Sequence, residues 1–211
     1  MAFETGYNEE LLAALVDHRS EEPDIEYKAW MDLADNEKKA KLAKHLCALA
    51  NHGGGTLIFG VNDDGSYSEP RPESLDLYCQ DVINDIVGKY LAPPFHCNVF
   101  IVRSSETGKD YPVVRVPPHG RVPVCAKRDG PRQDNRTVGI SKGVYYTRIP
   151  GPKSVPIDSP ELWREVIHRC IVNERESLLV YRSTVLRHCL APQAAAGSGA
   201  SCAARTAAGV W

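Results

Sequence analysis

Hydrophobic residues recur along this chain with two different spacings, and the change from one to the other predicts its elements. Apolar residues at helical spacing predict helices over residues 8–19, 36–51, 74–91 and 159–182. Alternating or continuous apolar runs predict strands over residues 25–29, 56–61, 95–103, 111–116, 121–127 and 143–149. The order α-β-α-β-α-β-β-β-β-α predicts an α/β (α+β) fold, with a mixed β-sheet flanked by helices.

The stretch 36–65 has the clearest local pattern. The helix is expected to end at the glycines 53–55, because glycine past the last periodic residue is a common stop signal. The apolar run 56–61 is long enough to form a central strand buried on both faces. It leads into the turn Asn62-Asp63-Asp64-Gly65. The glycine triplet is not a phosphate loop, since no GxxxxGK[ST] pattern accompanies it.

Composition indicates one globular domain followed by a tail of biased composition. Residues 1–185 are expected to form the domain, whereas 186–211 are rich in Ala, Gly and Ser and are expected to be disordered. No apolar run approaches the roughly 20 residues that span a bilayer, and the N-terminus lacks the pattern of a secretory signal. We therefore expect a cytoplasmic protein with no membrane partner.

The charge balance limits how this chain can bind nucleic acid. The net charge is −2 and the pI is about 6.4, so a polyanion would have to bind at a local basic patch rather than in an overall positive field. Seven cysteines are widely spaced without a CxxC pair, which predicts reduced thiols packed as small hydrophobes. Zinc binding is the alternative, with irregularly spaced candidate ligands His96, Cys97, His119 and Cys125.

Three carboxylates stand where strands are predicted to begin or end. Glu21 and Glu26 flank the start of the first strand, and Asp63 follows the buried strand. Two neighbouring strands would bring such side chains together, and a hard divalent ion such as Mg²⁺ or Mn²⁺ takes carboxylate oxygens. The alternative is structural, because Asp63-Asp64-Gly65 also makes a good turn.

Several motifs, in order, resemble the Schlafen AlbA-like domain family over about residues 10 to 170. The family pattern E-S-x-x-x-E-F-K corresponds to Glu21 through Lys28, and A-N-T-x-G-G corresponds to residues 50–55. The pattern hydrophobic-G-V-x-D corresponds to 59–63, and Y-x-R to Tyr146-Thr147-Arg148. This chain departs from the family pattern at three positions, Glu22, Tyr27 and His52.

The resemblance implies a nuclease site and a dimer. Family members with nuclease activity cut tRNA and rRNA with three carboxylates, which correspond here to Glu21, Glu26 and Asp63. Their nuclease core has two related lobes that cradle RNA, so this single lobe is expected to form a homodimer. Strand alternation puts Glu22 on the face of Glu26, so Glu22 replaces Glu21 as the ligand if the strand begins before Pro23.

The leading hypothesis is therefore a metal-dependent endoribonuclease that acts on structured RNA such as tRNA, in stress response or antiviral defence. Its candidate nucleic-acid-binding residues are Lys28, Lys38, Lys41 and Arg148. The rival is a non-catalytic nucleic-acid-binding module of the transcription-regulator type. The lysines of the 36–51 helix are then an ordinary solvated face. A third possibility is an assembly role without nucleic acid, which the near-neutral charge permits.

Overall fold

The computed structural model describes residues 9–20, 22–151 and 153–190. These fall into two compact units, one extending to Arg175 and one beginning at Glu176. The helices are α1 (Glu9–Asp17), α2 (Asn36–His52), α3 (Gln80–Tyr90) and α4 (Pro160–Leu190). The strands are β1 (Ile25–Lys28), β2 (Gly55–Phe59), β3 (Leu91–Ala92), β4 (Asn98–Arg103), β5 (Asp110–Val116), β6 (Cys125–Ala126), β7 (Arg132–Gln133), β8 (Arg136–Thr137), β9 (Tyr146–Ile149) and β10 (Lys153–Pro156).

A four-stranded mixed sheet organises the first unit, in the order β1-β2-β5-β4. β1 runs parallel to β2, and the other pairings are antiparallel. The register places Glu26 beside Leu57 and Lys28 beside Phe59. The predicted α+β class, the mixed sheet and the neighbouring first two strands are confirmed. Three two-stranded ribbons, β3-β6, β7-β8 and β9-β10, accompany this sheet.

Helix α2 lies at the centre of the main core. Its predicted inward residues Leu42, Leu46 and Leu49 are fully buried, as is every residue of β2. Asp35 caps its N-terminus by accepting a hydrogen bond from the Glu37 amide at 2.9 Å. The helix ends at Gly53, whose φ of 122° lies in the region that favours glycine. The glycine stop signal read from the sequence is therefore confirmed.

Two predicted elements differ from those observed. The predicted helix 74–91 is divided into a 3₁₀ turn (Asp76–Tyr78) and α3 by the extended backbone of Cys79. The Tyr78 hydroxyl donates to the Met31 carbonyl at 2.8 Å, so this tertiary contact outweighs the helical pattern. The predicted strand 121–127 is reduced to β6, because the Val124 amide donates to the side chain of Asn51 instead of a neighbouring strand.

The C-terminal region is described only as far as Leu190. Helix α4 extends beyond its predicted end at residue 182 and includes residues 186–190 of the predicted tail. Residues 191–211 lie outside the described residues, so the prediction of disorder stays a prediction for them. Within the described part of the chain, no helix is both long and apolar enough to cross a membrane.

Candidate nucleic-acid interface

A cleft of about 760 Å³ opens where β1 and β2 reach their C-terminal ends. Its walls come from β1, the turn after β2, helix α2, β10 and the turn that precedes β10. Parallel strands end at the same sheet edge, so their last side chains and following loops meet there. The lining residues are Arg19, Ile25, Glu26, Tyr27, Lys28, Lys44, His45, Asn62, Asp63, Asp64, Gly65, Gly151, Lys153, Ser154 and Val155.

Glu26 is the buried acid of the cleft, with 5% of its surface exposed. One carboxylate oxygen accepts from Lys28 Nζ at 2.6 Å and lies 3.1 Å from His45 Nδ1. The other oxygen forms an ion pair with Arg148. A buried carboxylate is tolerated only when it is paired and hydrogen-bonded in this way. The negative charge of Glu26 is thus neutralised within the protein.

Arg148 holds Glu26 from the side of β9, and its side chain is completely enclosed. The guanidinium also donates from Nε to the Pro23 carbonyl at 3.1 Å and from Nη2 to the Ile25 carbonyl at 2.9 Å. These contacts make Arg148 a positioning residue for β1 and for Glu26. Sequence reasoning assigned it to substrate phosphate, and that role stays a prediction.

The imidazole of His45 is held neutral. Burial, together with the positive charges of Lys28 and Lys44, lowers its pKa to about 3. The nearby Glu26 carboxylate would favour protonation, but Lys28 and Arg148 already neutralise that charge. His45 instead shares a 3.0 Å hydrogen bond with Ser154 Oγ. His45 thus joins α2 to β10 without adding charge to the cleft.

Two lysines of the cleft are partly withdrawn from water. Burial lowers the pKa of Lys28, against the opposing effect of the Asp63 charge. Burial also lowers the pKa of Lys44, and the charges of Lys28 and Lys41 act in the same direction. An anion that enters the cleft would relieve this mutual repulsion of the lysines.

Asp63 reaches the cleft from the turn after β2. Its side chain is 95% exposed and lies 3.9 Å from Lys28 Nζ. Because Lys28 also contacts Glu26, the contacting oxygens of the two carboxylates are at most about 6.5 Å apart, the sum of their distances from Lys28 Nζ. Asp64 instead closes the turn by accepting from the Ser66 amide and hydroxyl. Asp64 therefore has the structural role expected of this turn, whereas Asp63 is directed toward Lys28.

A metal ion would need at least one further ligand besides Glu26 and Asp63. Glu21 lies outside the described residues, and Glu22 is exposed in the turn that precedes β1. No group of three His, Cys, Asp or Glu side chains within the described ranges is placed to hold a metal ion. Lys28 and Arg148 now occupy the oxygens of Glu26. The Mg²⁺ or Mn²⁺ site of Glu21, Glu26 and Asp63 thus stays a prediction.

Some lysines of α2 line the cleft, and others lie outside it. Lys41 pairs with Glu37 at 2.6 Å, and neither Lys38 nor Lys41 is among the residues that line the cleft. Lys44 and His45 do line it, although sequence reasoning did not select them. The sequence carried no local signal for them, because the packing of β10 against α2 decides which turn of this helix borders the cleft.

The balance of charge in the cleft is positive. Its cationic lining residues are Arg19, Lys28, Lys44 and Lys153, and its acidic ones are Glu26, Asp63 and Asp64. The enclosed Arg148 adds a further cation beside Glu26. A chain of net charge −2 therefore carries a local site suited to an anion.

The comparison with family models agrees with the motifs in the sequence. The family model described as Schlafen, AlbA_2 matches residues 21–156, more than half of the chain. No curated protein matches. The DIP2311 protein from Corynebacterium diphtheriae is a similar solved structure, with 18% identity, a TM-score of 0.44, and coverage of 68% of this chain and 23% of that one. This chain thus spans less than a quarter of its length.

A second similar structure is the N-terminal domain of a RecG-related protein from Nitrosomonas europaea. It has 24% identity and a TM-score of 0.39, with coverage of 64% of this chain and 92% of that one. The family assignment rests on the family model, whose match begins at Glu21-Glu22 and ends at the last residue of β10. This chain belongs to the Schlafen AlbA_2 family.

Proposed function

We propose that this chain binds structured RNA, such as tRNA, by taking backbone phosphates into the cleft beside Lys28 and Lys44. The observation that carries the proposal is the neutralisation of Glu26 by Arg148 and Lys28. Because the buried acid is already paired, the cleft lysines Lys44 and Lys153 are available to an anionic ligand. Phosphate neutralisation by Lys and Arg supplies most of the sequence-independent affinity for nucleic acid.

The shape of the cleft favours a polymer over a small anion. It is open to solvent, and its lining includes the exposed Lys153 and the exposed turn of Asp63. A nucleic-acid backbone can enter such an opening and continue beyond it. The family resemblance points to structured RNA, which proteins recognise by shape and by phosphate and 2′-hydroxyl contacts.

The experiment compares tRNA binding by the whole chain with binding by Lys44→Gln/Lys153→Gln. Neither lysine contacts Glu26 through a described ion pair, so the buried network remains. Loss of two phosphate contacts should flatten the plot of log K against log salt by one to two units. The matched control is Arg103→Gln/Lys109→Gln, which removes two exposed charges from β4 and the following loop. Equal salt slopes for the two double variants would contradict the proposal.

Metal-dependent endoribonuclease activity is the second candidate, favoured by the position of Lys28 between Glu26 and Asp63. The ammonium group of Lys28 thus lies between two carboxylates, which are the hard oxygen donors that a divalent ion prefers. Glu21 is predicted to supply the third carboxylate. A divalent ion held there would activate water for attack on a phosphodiester. Glu26 would orient the site, and Lys28 would have to turn from the carboxylates toward phosphate.

The cleavage experiment uses tRNA with Mn²⁺ or Mg²⁺ and an EDTA control. Asp63→Asn is the informative variant, because Asp63 is almost fully exposed and its change should leave the fold intact. Metal-dependent fragments that disappear in Asp63→Asn and in Glu26→Gln would support the nuclease. Intact tRNA with retained binding would favour the binding module.

We further propose that two copies form a homodimer on the RNA, since a single lobe offers one cleft. Light scattering with and without tRNA checks the stoichiometry. A two-to-one complex is the expected result, and a one-to-one complex would remove the dimer from the proposal.

A further inference from the structure

A second basic surface lies outside the cleft, on the segment 127–142 that contains β7 and β8. We name this segment the basic ribbon. Its exposed cations are Lys127, Arg128, Arg132, Arg136 and Lys142, and its acids are Asp129 and Asp134. Asp129 is engaged locally, because its carboxylate accepts from the Lys142 amide at 2.8 Å. The ribbon thus carries an excess of positive charge in a chain that is negative overall.

The tip of the basic ribbon is a tight two-residue turn. Gln133 pairs with Arg136, so Asp134 and Asn135 form the whole loop between the strands. Both have positive φ, 47° and 61°. That conformation matches the twist of a hairpin, and Asp and Asn tolerate it better than most residues. The ribbon is therefore narrow, with a polar tip.

The two arginines of the strands β7 and β8 point to opposite sides. Arg132 pairs with Thr137, and Gln133 pairs with Arg136. Paired residues share a face of a ribbon and successive residues alternate. Arg132 and Arg136 therefore project from different faces, and both are exposed. A narrow element with a cation on each face suits a groove that has a phosphate strand along each wall.

The base of the ribbon is fixed against helix α2. A Cβ on Gly139 would lie 2.6 Å from backbone atoms of Ala40 and Lys41, and one on Gly130 would lie 3.0 Å from Ala40 Cβ. Backbone hydrogen bonds from Gly130 to Ile140 and from Val138 to Pro131 close the base. The ribbon thus has a rigid support, which favours binding because little order must be gained.

The same face of α2 leads from the ribbon to the cleft. Lys44 and His45 follow Ala40 and Lys41 by four residues, so they lie one turn further along that face. One turn advances about 5–6 Å along the helix axis. Phosphates bound in the cleft and beside the ribbon could therefore belong to one nucleic-acid ligand.

We propose that the basic ribbon is a second nucleic-acid contact, which enters a groove of a duplex and reaches both backbones through Arg132 and Arg136. The B-form major groove admits a two-stranded ribbon, and the A-form minor groove is wide and shallow. This inference rests on the proposed function in one respect, namely that the duplex bound by the ribbon is the same molecule that binds in the cleft. A duplex segment is required, since a single strand has no second wall.

The test uses the whole chain, a short RNA duplex, a DNA duplex of the same sequence and a single strand. Arg132→Gln/Arg136→Gln should weaken duplex binding at least tenfold at low salt and reduce the salt slope by up to two units. Single-strand binding should change less than twofold. Arg103→Gln/Lys109→Gln removes the same charge elsewhere and should leave duplex binding within twofold. The RNA and DNA arms identify which duplex the ribbon prefers.

The outcomes separate this inference from the cleft proposal. Wild-type affinity of the ribbon variant for both duplexes would overturn the ribbon contact, while loss of binding in Lys44→Gln/Lys153→Gln would leave the cleft standing. The reverse pattern would support the ribbon and overturn the cleft. An equal loss for single strands and duplexes would overturn groove entry. Absence of binding by the unmodified chain would overturn both.

Discussion

Arg148 and Glu26 form an enclosed ion pair that joins β9 to β1, two strands that belong to different sheets. The residues are 122 positions apart in sequence. The pair therefore fixes the late β9-β10 ribbon against the first strand of the main sheet. It also sets the position of the one buried acid among the described residues that line the cleft.

Replacement of Arg148 by Leu should destabilise the protein strongly. The change leaves Glu26 buried with only Lys28 and His45 as partners, and removal of one member of a buried pair typically costs about 3–5 kcal/mol. Urea unfolding followed by circular dichroism measures the loss. Arg103→Leu is the control, because its exposed pair with Asp110 should contribute no more than about 1 kcal/mol. Equal losses in the two variants would contradict this account.

Replacement of Asn51 by Ala should also lower stability, by roughly 3 kcal/mol from three lost hydrogen bonds. Asn51 is fully buried at the end of α2. Its amide donates to the carbonyls of Val124 and Tyr146, both at 2.8 Å, and its carbonyl accepts from the Val124 amide at 2.7 Å. Asn84→Ala provides the comparison in thermal unfolding, because water can reach the partners of that partly exposed side chain. A smaller loss at Asn51 than at Asn84 would show that its hydrogen bonds matter little.

Replacement of Gly139 by Ala should displace the basic ribbon from α2. Its added Cβ would meet backbone at 2.6 Å, whereas at Gly143 nothing lies within 4 Å. The two glycines have nearly the same φ, 82° and 80°, so both substitutions carry the same backbone strain. The excess loss of stability at Gly139 isolates the steric contact. Limited proteolysis should then cut segment 127–142 faster in Gly139→Ala than in Gly143→Ala.

The cysteines should differ sharply in reactivity. Burial raises the pKa of both Cys47 and Cys97 to about 12, so at pH 8 these thiols are protonated and enclosed. Cys79 is exposed. Alkylation of the native protein at pH 8, with peptide mass spectrometry, should label Cys79 within minutes and spare Cys47 and Cys97 until denaturant is added. Rapid labelling of Cys47 in native protein would show that the α2 core opens readily.

The predicted parts of the fold are those set by local pattern. The apolar period of α2, the glycines after it and the continuous run of β2 each depend on neighbouring residues, and all three are confirmed. The short β6 could not be predicted, because the Val124 amide bonds to a side chain 73 positions away. Cys47, Cys79, Cys97, Cys125 and Cys170 are free thiols, as the spacing indicated.

The candidate site was predicted in part. The adjacency of the first two strands followed from their order, and it brings Glu26 and Asp63 to one lysine. The burial of Arg148 could not be predicted from the sequence, because the alternation of residues along β9 does not show which other elements pack on each of its faces. Lys44 and His45 were missed for a related reason, since only the packing of β10 shows which turn of α2 borders the cleft.

The hydrogen bonds from Arg148 to backbone carbonyls also affect the tendency of the main sheet to pair with other chains. β1 is the last strand of the main sheet, and such a strand offers unpaired backbone groups to any passing chain. The guanidinium covers the carbonyls of Pro23 and Ile25 at that border. One buried side chain thus occupies two backbone acceptors where the strand of another chain would otherwise pair, and we expect this to disfavour edge-to-edge aggregation.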